Sequence, residues 1–320
     1  MSASPADRNS MLDGVHVLDG GLASELEYLG ADINGPLWSA HVLEDAPEKI
    51  LAGHRAYIAA GAQCIESASY QVSRMGYVEF GLAAERADTA LVKALTLARQ
   101  AAAEFPGKYV QIAVSLGPYG AALHNGAEYH GNYTCAHDEL IAFHRERIAV
   151  LADLLHDEIL AFETLPSLDE ARAIGEALAP WPSLRAWFSF TCRDAQHVAH
   201  GELLRDCASY LATLPHTVAV GVNCTQPSLI APLIHELRTA SNQPIVVYPN
   251  SGEGWDAQRR CWTGHSDPEA YGAKATEWFA AGAQIVGGCC RTRPAHIHEV
   301  AEAAANYTAE WWSANTRCKE

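Results

Sequence analysis

Short runs rich in β-branched and apolar residues alternate along the chain with longer stretches whose apolar positions recur at helical spacing. The runs are VHVLDG (15–20), QCIESAS (63–69), YVQIAVSLG (109–117), EILAFETL (158–165), RAWFSFTC (185–192), TVAVGVNC (217–224), PIVVYPN (244–250) and AQIVGGCC (283–290), eight in all. Such runs suit strands covered on both faces, and each intervening segment is long enough for a helix and its loops. Eight βα units in 320 residues predict an α/β fold, a single-domain (β/α)8 TIM-type barrel.

Helix punctuation agrees with that rhythm. Asp267-Pro268 supplies an N-cap followed by proline at the first helical position, and Gly282 ends the same helix. Ser167 and Glu170 form a capping-box pattern after the fourth run. The phrase AAGAQ occurs at 59–63 and again at 280–284, each time as helix end, glycine cap and the start of a strand. Two stretches, 117–137 and 249–264, are turn-rich and irregular. Both follow strand C-terminal ends, where a barrel builds its site, so both are candidate lids. The expected layout is a polar N-terminal arm over 1–12, the barrel over 13–305 and a helical tail over 306–320, with Trp311 and Trp312 packing that tail onto the barrel.

Charge narrows the function. The formal net charge is −16 without any cluster of lysine or arginine, which disfavours nucleic acid and anionic membrane surfaces as partners. No apolar run approaches the ~20 residues of a membrane span. The start, MSASPADRNSML, lacks the basic and apolar regions of a secretory signal. Nine cysteines, an odd number, are expected as free thiols in a reducing, cytoplasmic setting, in a monomer or small homo-oligomer.

The strand ends carry the chemistry. The first run ends in Asp19-Gly20-Gly21, the fourth in Glu163-Thr164, the sixth in Asn223-Cys224 and the eighth in Cys289-Cys290. A barrel brings these ends to one face. Three convergent thiols suit zinc, which takes thiolates at ~2.3 Å in tetrahedral geometry. The chain has no CxxC spacing for a closed structural site, so Cys224, Cys289 and Cys290 read as a three-ligand metal site with one open position. Gly287-Gly288 would supply the unusual dihedrals that let adjacent cysteines reach one ion. An all-thiolate zinc is a weak Lewis acid for water but suits a substrate thiol, whose pKa it lowers from ~8.5. Asp19 and Glu163 then read as a receptor for a substrate ammonium, and a general acid/base pair is the rival role. Rival classes are a zinc hydrolase with metal-bound water and Glu163 as base, and a thiol-binding redox module.

Other residues read more plainly. Cys64, Cys135, Cys192, Cys207, Cys261 and Cys318 are core or surface thiols. Glu66 is a solvated strand residue ahead of a contact for a cationic donor. His124, His130 and His137 are solvated loop residues, and Trp255 and Trp262 either line a donor pocket through cation–π contact or simply pack.

LDGGLASELEYLGADINGPLWSA (18–40), ESASYQVS (66–73), SLGPYGAALHNGAEYHGNY (115–133), FETLPSLDEARA (162–173), GVNCTQP (221–227), YPNSGEGWD (248–256) and GGCCRTRPAHI (287–297) resemble the zinc-dependent homocysteine S-methyltransferases over roughly residues 13–305. The resemblance implies that Cys224, Cys289 and Cys290 ligate Zn2+, and that Asp19 and Glu163 hold the homocysteine amino group. It places Tyr70 near the metal, and Asn223 and Arg291 beside the ligands. The SASYQ and GPYGA phrases are most similar to the branch using S-methylmethionine or S-adenosylmethionine. That branch implies methyl transfer from a sulfonium to the zinc-bound thiolate of homocysteine, giving methionine; selenocysteine or another thiol is the alternative acceptor. The chain lacks a Gly-rich dinucleotide-binding turn, so a donor is expected in the barrel mouth.

Overall fold

The computed structural model describes residues 14–33, 39–256 and 261–317. In chain order the strands are β1 (His16–Val17), β2 (Cys64–Glu66), β3 (Gln111–Leu116), β4 (Ile159–Leu165), β5 (Ala186–Phe190), β6 (Thr217–Asn223), β7 (Ile245–Tyr248), β8 (Gly254–Asp256), β9 (Cys261–Thr263) and β10 (Ile285–Val286). All but β8 and β9 join one parallel sheet of eight, in the order β1-β10-β7-β6-β5-β4-β3-β2. A parallel bridge between Leu18 and Cys64 brings the two ends together, with Gln63 N donating to Val17 O at 2.8 Å and Asp19 N to Cys64 O at 3.0 Å. The sheet therefore closes as a (β/α)8 barrel, and each of the eight expected runs contains one of its strands.

The strands are apolar on both sides because each side meets a different core. Leu18, Cys64, Ala113, Ala161, Trp187, Ala219, Val246 and Ile285 fill the barrel interior. The alternate positions, among them Val17, Ile65, Val114, Leu160, Phe188, Val220, Val247 and Val286, belong to the shell between sheet and helices. Full burial of such a side chain stabilises the fold by ~1.5–3 kcal/mol.

The two copies of AAGAQ do the same job. Gly61 caps the helix Pro47–Ala60 at φ 114° and Gly282 caps Pro268–Ala281 at φ 111°, the left-handed conformation that glycine adopts without strain. Each is followed by a strand, β2 or β10. The Asp267 side chain accepts from Ala270 N as expected, and Ser167 accepts from Glu170 N. The reciprocal half of that capping box is missing, because the Glu170 carboxylate turns away from the Ser167 backbone to Tyr119, Tyr133 and His144.

The stretch 249–264, expected to be irregular, contains the antiparallel β8–β9 hairpin, with Trp255 opposite Trp262 in its register. The roles suggested for those two side chains, for the 1–12 arm, for Cys261 and Cys318, and for Trp311 and Trp312 fall outside the described residues. The last helix runs unbroken from Pro294 to Arg317, and Tyr307 stacks on Phe279 at 5.8 Å. Among the described residues no helix is long and apolar enough to cross a membrane.

Candidate metal centre

The alternation that fills the barrel with apolar side chains continues to the C-terminal ends of the strands, where it delivers polar ones. Two positions beyond Cys64, Ala113, Ala161, Trp187 and Val246 stand Glu66, Ser115, Glu163, Ser189 and Tyr248. These side chains, with Asn223 from β6, form a polar floor at the barrel mouth.

Above this floor the three expected cysteines meet. The sulfurs of Cys224, Cys289 and Cys290 all lie within 4.8 Å of one another, the one metal-capable group of histidine, cysteine or carboxylate ligands among the described residues. The sequence reading takes all three as free thiols; here Cys224 and Cys289 are joined by a disulfide, with Cα atoms 5.5 Å apart. Thiols close enough to share an ion are close enough to bond each other. Cys290 remains free, its sulfur 3.8 Å from that of Cys224. Burial pushes the Cys290 thiol up to about 11, so at neutral pH it stays protonated unless a cation stabilises the thiolate.

The backbone holding these sulfurs is unusual, though not where glycine was expected to make it so. Gly287 and Gly288 do not adopt positive φ; they are needed for space. A Cβ on Gly287 would lie 2.5 Å from Asp19 O, and one on Gly288 would lie 2.4 Å from Thr292 Oγ1. Positive φ falls instead on Thr164 (59°), Cys224 (47°) and Arg291 (66°), beside the site residues of three strand ends. Each such non-glycine residue costs ~1–3 kcal/mol and persists because its surroundings fix it. Thr292 Oγ1 and N donate to Cys289 O, Cys289 N to Pro249 O and Ser251 N to Cys290 O. Arg291 N donates to Ser24 Oγ, while its guanidinium pairs with Glu27 and Glu253. Arg291 therefore ties the turn to its neighbours and faces away from the cluster.

Asp19 and Glu163 are both buried in the mouth. Asp19 Oδ2 accepts from Glu66 N at 3.0 Å, but Oδ1 is buried with no hydrogen-bond partner. Glu163 accepts from the Ser115 hydroxyl. Glu66 is not the solvated strand residue the sequence suggested. Inward-facing like Cys64, it contacts Glu163 and Tyr248, and its Oε1 is sealed without a partner. Burial holds Asp19 well above the usual carboxylate range, with the Glu163 charge adding to it against the Glu66 N–H bond. Burial likewise raises Glu66, then the charges of Glu163 and Asp19. Glu163 is pushed up to about 7 by burial, partly offset by hydrogen bonds from Ser115, Glu66 and Tyr248. No lysine or arginine pairs with any of them among the described residues.

Asn223 is a brace. Its Oδ1 accepts from Thr164 N at 2.7 Å and Ser189 Oγ at 2.9 Å, and its Nδ2 donates to Thr164 Oγ1 at 2.8 Å. The β4 tip that carries Glu163 is thus fixed to the β6 tip that carries Cys224.

The 117–137 segment covers this mouth. Its short helical turn Ala127–Tyr129 brings the Tyr129 hydroxyl to the Cys290 sulfur, although half of Tyr129 remains exposed. The tyrosine expected there was Tyr70, whose hydroxyl instead bonds the Thr164 side chain. Beside Tyr129, Glu128 is 9% exposed and its Oε2 has no partner; burial pushes this carboxyl up to about 7. The segment is pinned by buried Glu170, which accepts from Tyr119 N at 2.5 Å, from the Tyr133 hydroxyl and from His144 Nε2 at 2.9 Å. Arg147 donates to His144 Nδ1 and to Gly117 O, so the imidazole accepts at Nδ1 and gives its Nε2 proton to Glu170.

Of the histidines in this segment, His124 meets Phe80 edge to face, His130 accepts from Asn132 N and His137 pairs with Glu176; none joins the cysteines. Cys64 and Cys207 are core residues, and Cys135 and Cys192 are partly buried away from the cluster. The sequence reading missed Glu128, Tyr129 and Tyr248. Tyr248 could have been found from its place two residues after inward-facing Val246, whereas the loop pair leaves no periodic signal.

Comparison with known proteins fits this geometry. The family profile described as homocysteine S-methyltransferase matches residues 16–304. The homocysteine S-methyltransferase YbgG of Bacillus subtilis (strain 168) is 43% identical over 293 residues, covering 89% of this chain and 93% of its own. The homocysteine methyltransferase MmuM of Escherichia coli superposes in its metallated form with a TM-score of 0.81 at 40% identity, covering 91% of this chain and 96% of that one. Its oxidized form superposes at 0.82 and 39% identity, covering 91% and 99%.

Proposed function

The chain belongs to the homocysteine S-methyltransferase family, and from that premise we propose that it moves a methyl group from a sulfonium donor, S-methylmethionine or S-adenosylmethionine, to the sulfur of L-homocysteine, forming methionine. One observation carries the reading: three sulfurs and a set of carboxylates without counter-cations among the described residues share one barrel mouth. A thiol bearing an ammonium group matches both halves.

The residues fit zinc. Tetrahedral zinc with ~2.3 Å bonds sets its sulfur ligands about 3.8 Å apart, and the Cys224 and Cys290 sulfurs are 3.8 Å apart. Cys224, Cys289 and Cys290 would hold the ion once the Cys224–Cys289 bond is reduced, which fits a reducing, cytoplasmic setting. Zinc bound there would supply the positive charge that keeps an incoming substrate sulfur as thiolate near neutral pH.

The protein side chains do the rest. Asp19 and Glu163 accept the homocysteine ammonium, which relieves two carboxylates that burial otherwise makes costly. Asn223 holds the β4 tip and thereby the aim of Glu163. Tyr129 covers Cys290 and keeps water from competing for the reacting centre. With sulfur and methyl carbon aligned, the homocysteine sulfur displaces the donor in line. One S–C bond forms, the C–S⁺ bond breaks with its electron pair, and a neutral thioether leaves. Orientation and nucleophile activation supply the rate, and no general acid or base is required.

The test is zinc content and methyl transfer in the reduced protein and in C224S, C289S and C290S. The expected outcome is stoichiometric zinc and turnover in the parent, and loss of both in each variant. Undiminished transfer by metal-stripped protein would sink the reading.

A further inference from the structure

Glu128 has no role in the acceptor chemistry above, yet it is the most anomalous side chain of the 117–137 segment. It is 91% buried by the complement of its 9% exposure, its Oε2 lacks a hydrogen bond, and no cation compensates it among the described residues. The nearby buried arginine, Arg147, is engaged by His144 and Gly117 O. Glu128 cannot readily swing out to solvent. A Cβ on Gly120 would stand 2.6 Å from Glu128 N, so the turn packs directly on the helix Tyr119–Ala122, whose first N–H is held by Glu170. An unpaired buried carboxylate costs several kcal/mol, and such sites are retained where a ligand supplies the missing charge.

Its place says which ligand. Glu128 precedes Tyr129, the residue whose hydroxyl reaches Cys290, and its charge acts on Cys290, Tyr129 and Tyr70. It therefore lies on the loop side of the sulfur cluster, while Asp19, Glu66 and Glu163 rise from the strand tips. Two amino-acid substrates bring two ammonium groups, and the mouth offers two separate sources of carboxylate. A carboxylate placed against the sulfonium itself would hold a charge that vanishes during transfer, favouring the ground state. One placed against the donor's ammonium stabilises ground and transition states alike.

We propose that Glu128 binds the ammonium group of the methyl donor, so that the 117–137 loop selects sulfonium donors of the amino-acid type. This rests on the reading that the three-cysteine cluster holds the acceptor sulfur.

The experiment is calorimetric titration of the reduced, zinc-supplemented protein and its E128Q and E128D variants with two sulfonium probes, alongside methyl-transfer kinetics with homocysteine. S-methylmethionine carries an ammonium; dimethylsulfoniopropionate does not. E128Q is expected to weaken S-methylmethionine binding about 10- to 100-fold, the usual range for a buried charge-assisted hydrogen bond. E128D is expected to recover part of that loss, with the donor KM raised in step with the lost binding and with dimethylsulfoniopropionate binding, homocysteine KM and zinc content near parent values. Equal S-methylmethionine binding by parent and E128Q overturns the proposal, as does equal weakening of both probes or absence of donor binding by the parent. If the parent binds donor through Glu128 but transfers no methyl to homocysteine, the acceptor reading fails and the Glu128 assignment stands.

Discussion

Two buried acidic regions lie a short distance apart in this barrel and are finished in opposite ways. Behind the 117–137 loop, Glu170 is fully buried, and its oxygens are met by a backbone N–H, a phenol and an imidazole, with Arg147 beside them. Burial holds His144 neutral, its pKa down to about 4, and lowers Arg147 to about 10, still cationic at neutral pH. In the mouth, Asp19, Glu66 and Glu163 crowd together and Glu128 stands on the loop side, none of them paired with a cation among the described residues, and three of the four have a buried oxygen with no hydrogen-bond partner. The first region completes its own electrostatics and thereby fixes a loop. The second leaves its electrostatics incomplete, which costs stability and supports the ammonium receptor proposed above.

That contrast can be broken by substitution. Glu170→Ala leaves buried Arg147 without a counter-charge and three donors without their acceptor, and should cost ~3–5 kcal/mol of unfolding free energy, read by denaturant titration. Glu163→Gln should do the reverse. Stability holds or rises, while homocysteine KM increases about 30- to 100-fold, equivalent to ~2–3 kcal/mol, measured at saturating donor. If Glu163→Gln destabilised the fold as much as Glu170→Ala, the distinction between the regions would disappear.

A pH series sharpens the same point. Glu163 and Glu128 have folded pKa values raised to about 7 by burial, above their unfolded values. The unfolded chain therefore releases these protons first, and stability is lost as pH rises from the ordinary glutamate range toward 7. The metal-free, ligand-free protein should be more stable at pH 5 than at pH 8 by about 2–3 kcal/mol from each of these two groups, and Glu163→Gln should flatten the slope. The smallest effect belongs to Glu66→Gln, which removes one carboxylate from a repelling group and should stabilise the empty protein by ~1 kcal/mol or less. A marked loss of stability there would mean that its hydrogen bonds to Glu163 and Tyr248 outweigh the repulsion.

Much of this arrangement was legible in the sequence, for identifiable reasons. Strands buried on both faces announce themselves as apolar runs, and Gly61, Gly282 and Asp267 mark helix ends by local chemistry alone. The sulfur cluster followed from strand tips that any barrel must gather. Glu66 was misjudged because alternation was not carried two residues past Cys64, which would have turned it inward. Gly287 and Gly288 were assigned the wrong property, since a close approach between segments 268 residues apart, 19 and 287, leaves no local trace. Glu128 and Tyr129 lie in a loop without period, held by Glu170 far along the chain, and only the folded chain brings them to Cys290.

The pairing of β1 with β10 also dictates when the three-sulfur cluster can exist. Residues 16–19 are made long before their neighbours at 285–288, so the strand that carries Asp19 waits for its partner. A product interrupted before residue 285 carries one of the three clustered sulfurs and leaves Asp19 beside an open seam. The three sulfurs can therefore come together only after the chain has been made through Cys290 and β10 has docked beside β1.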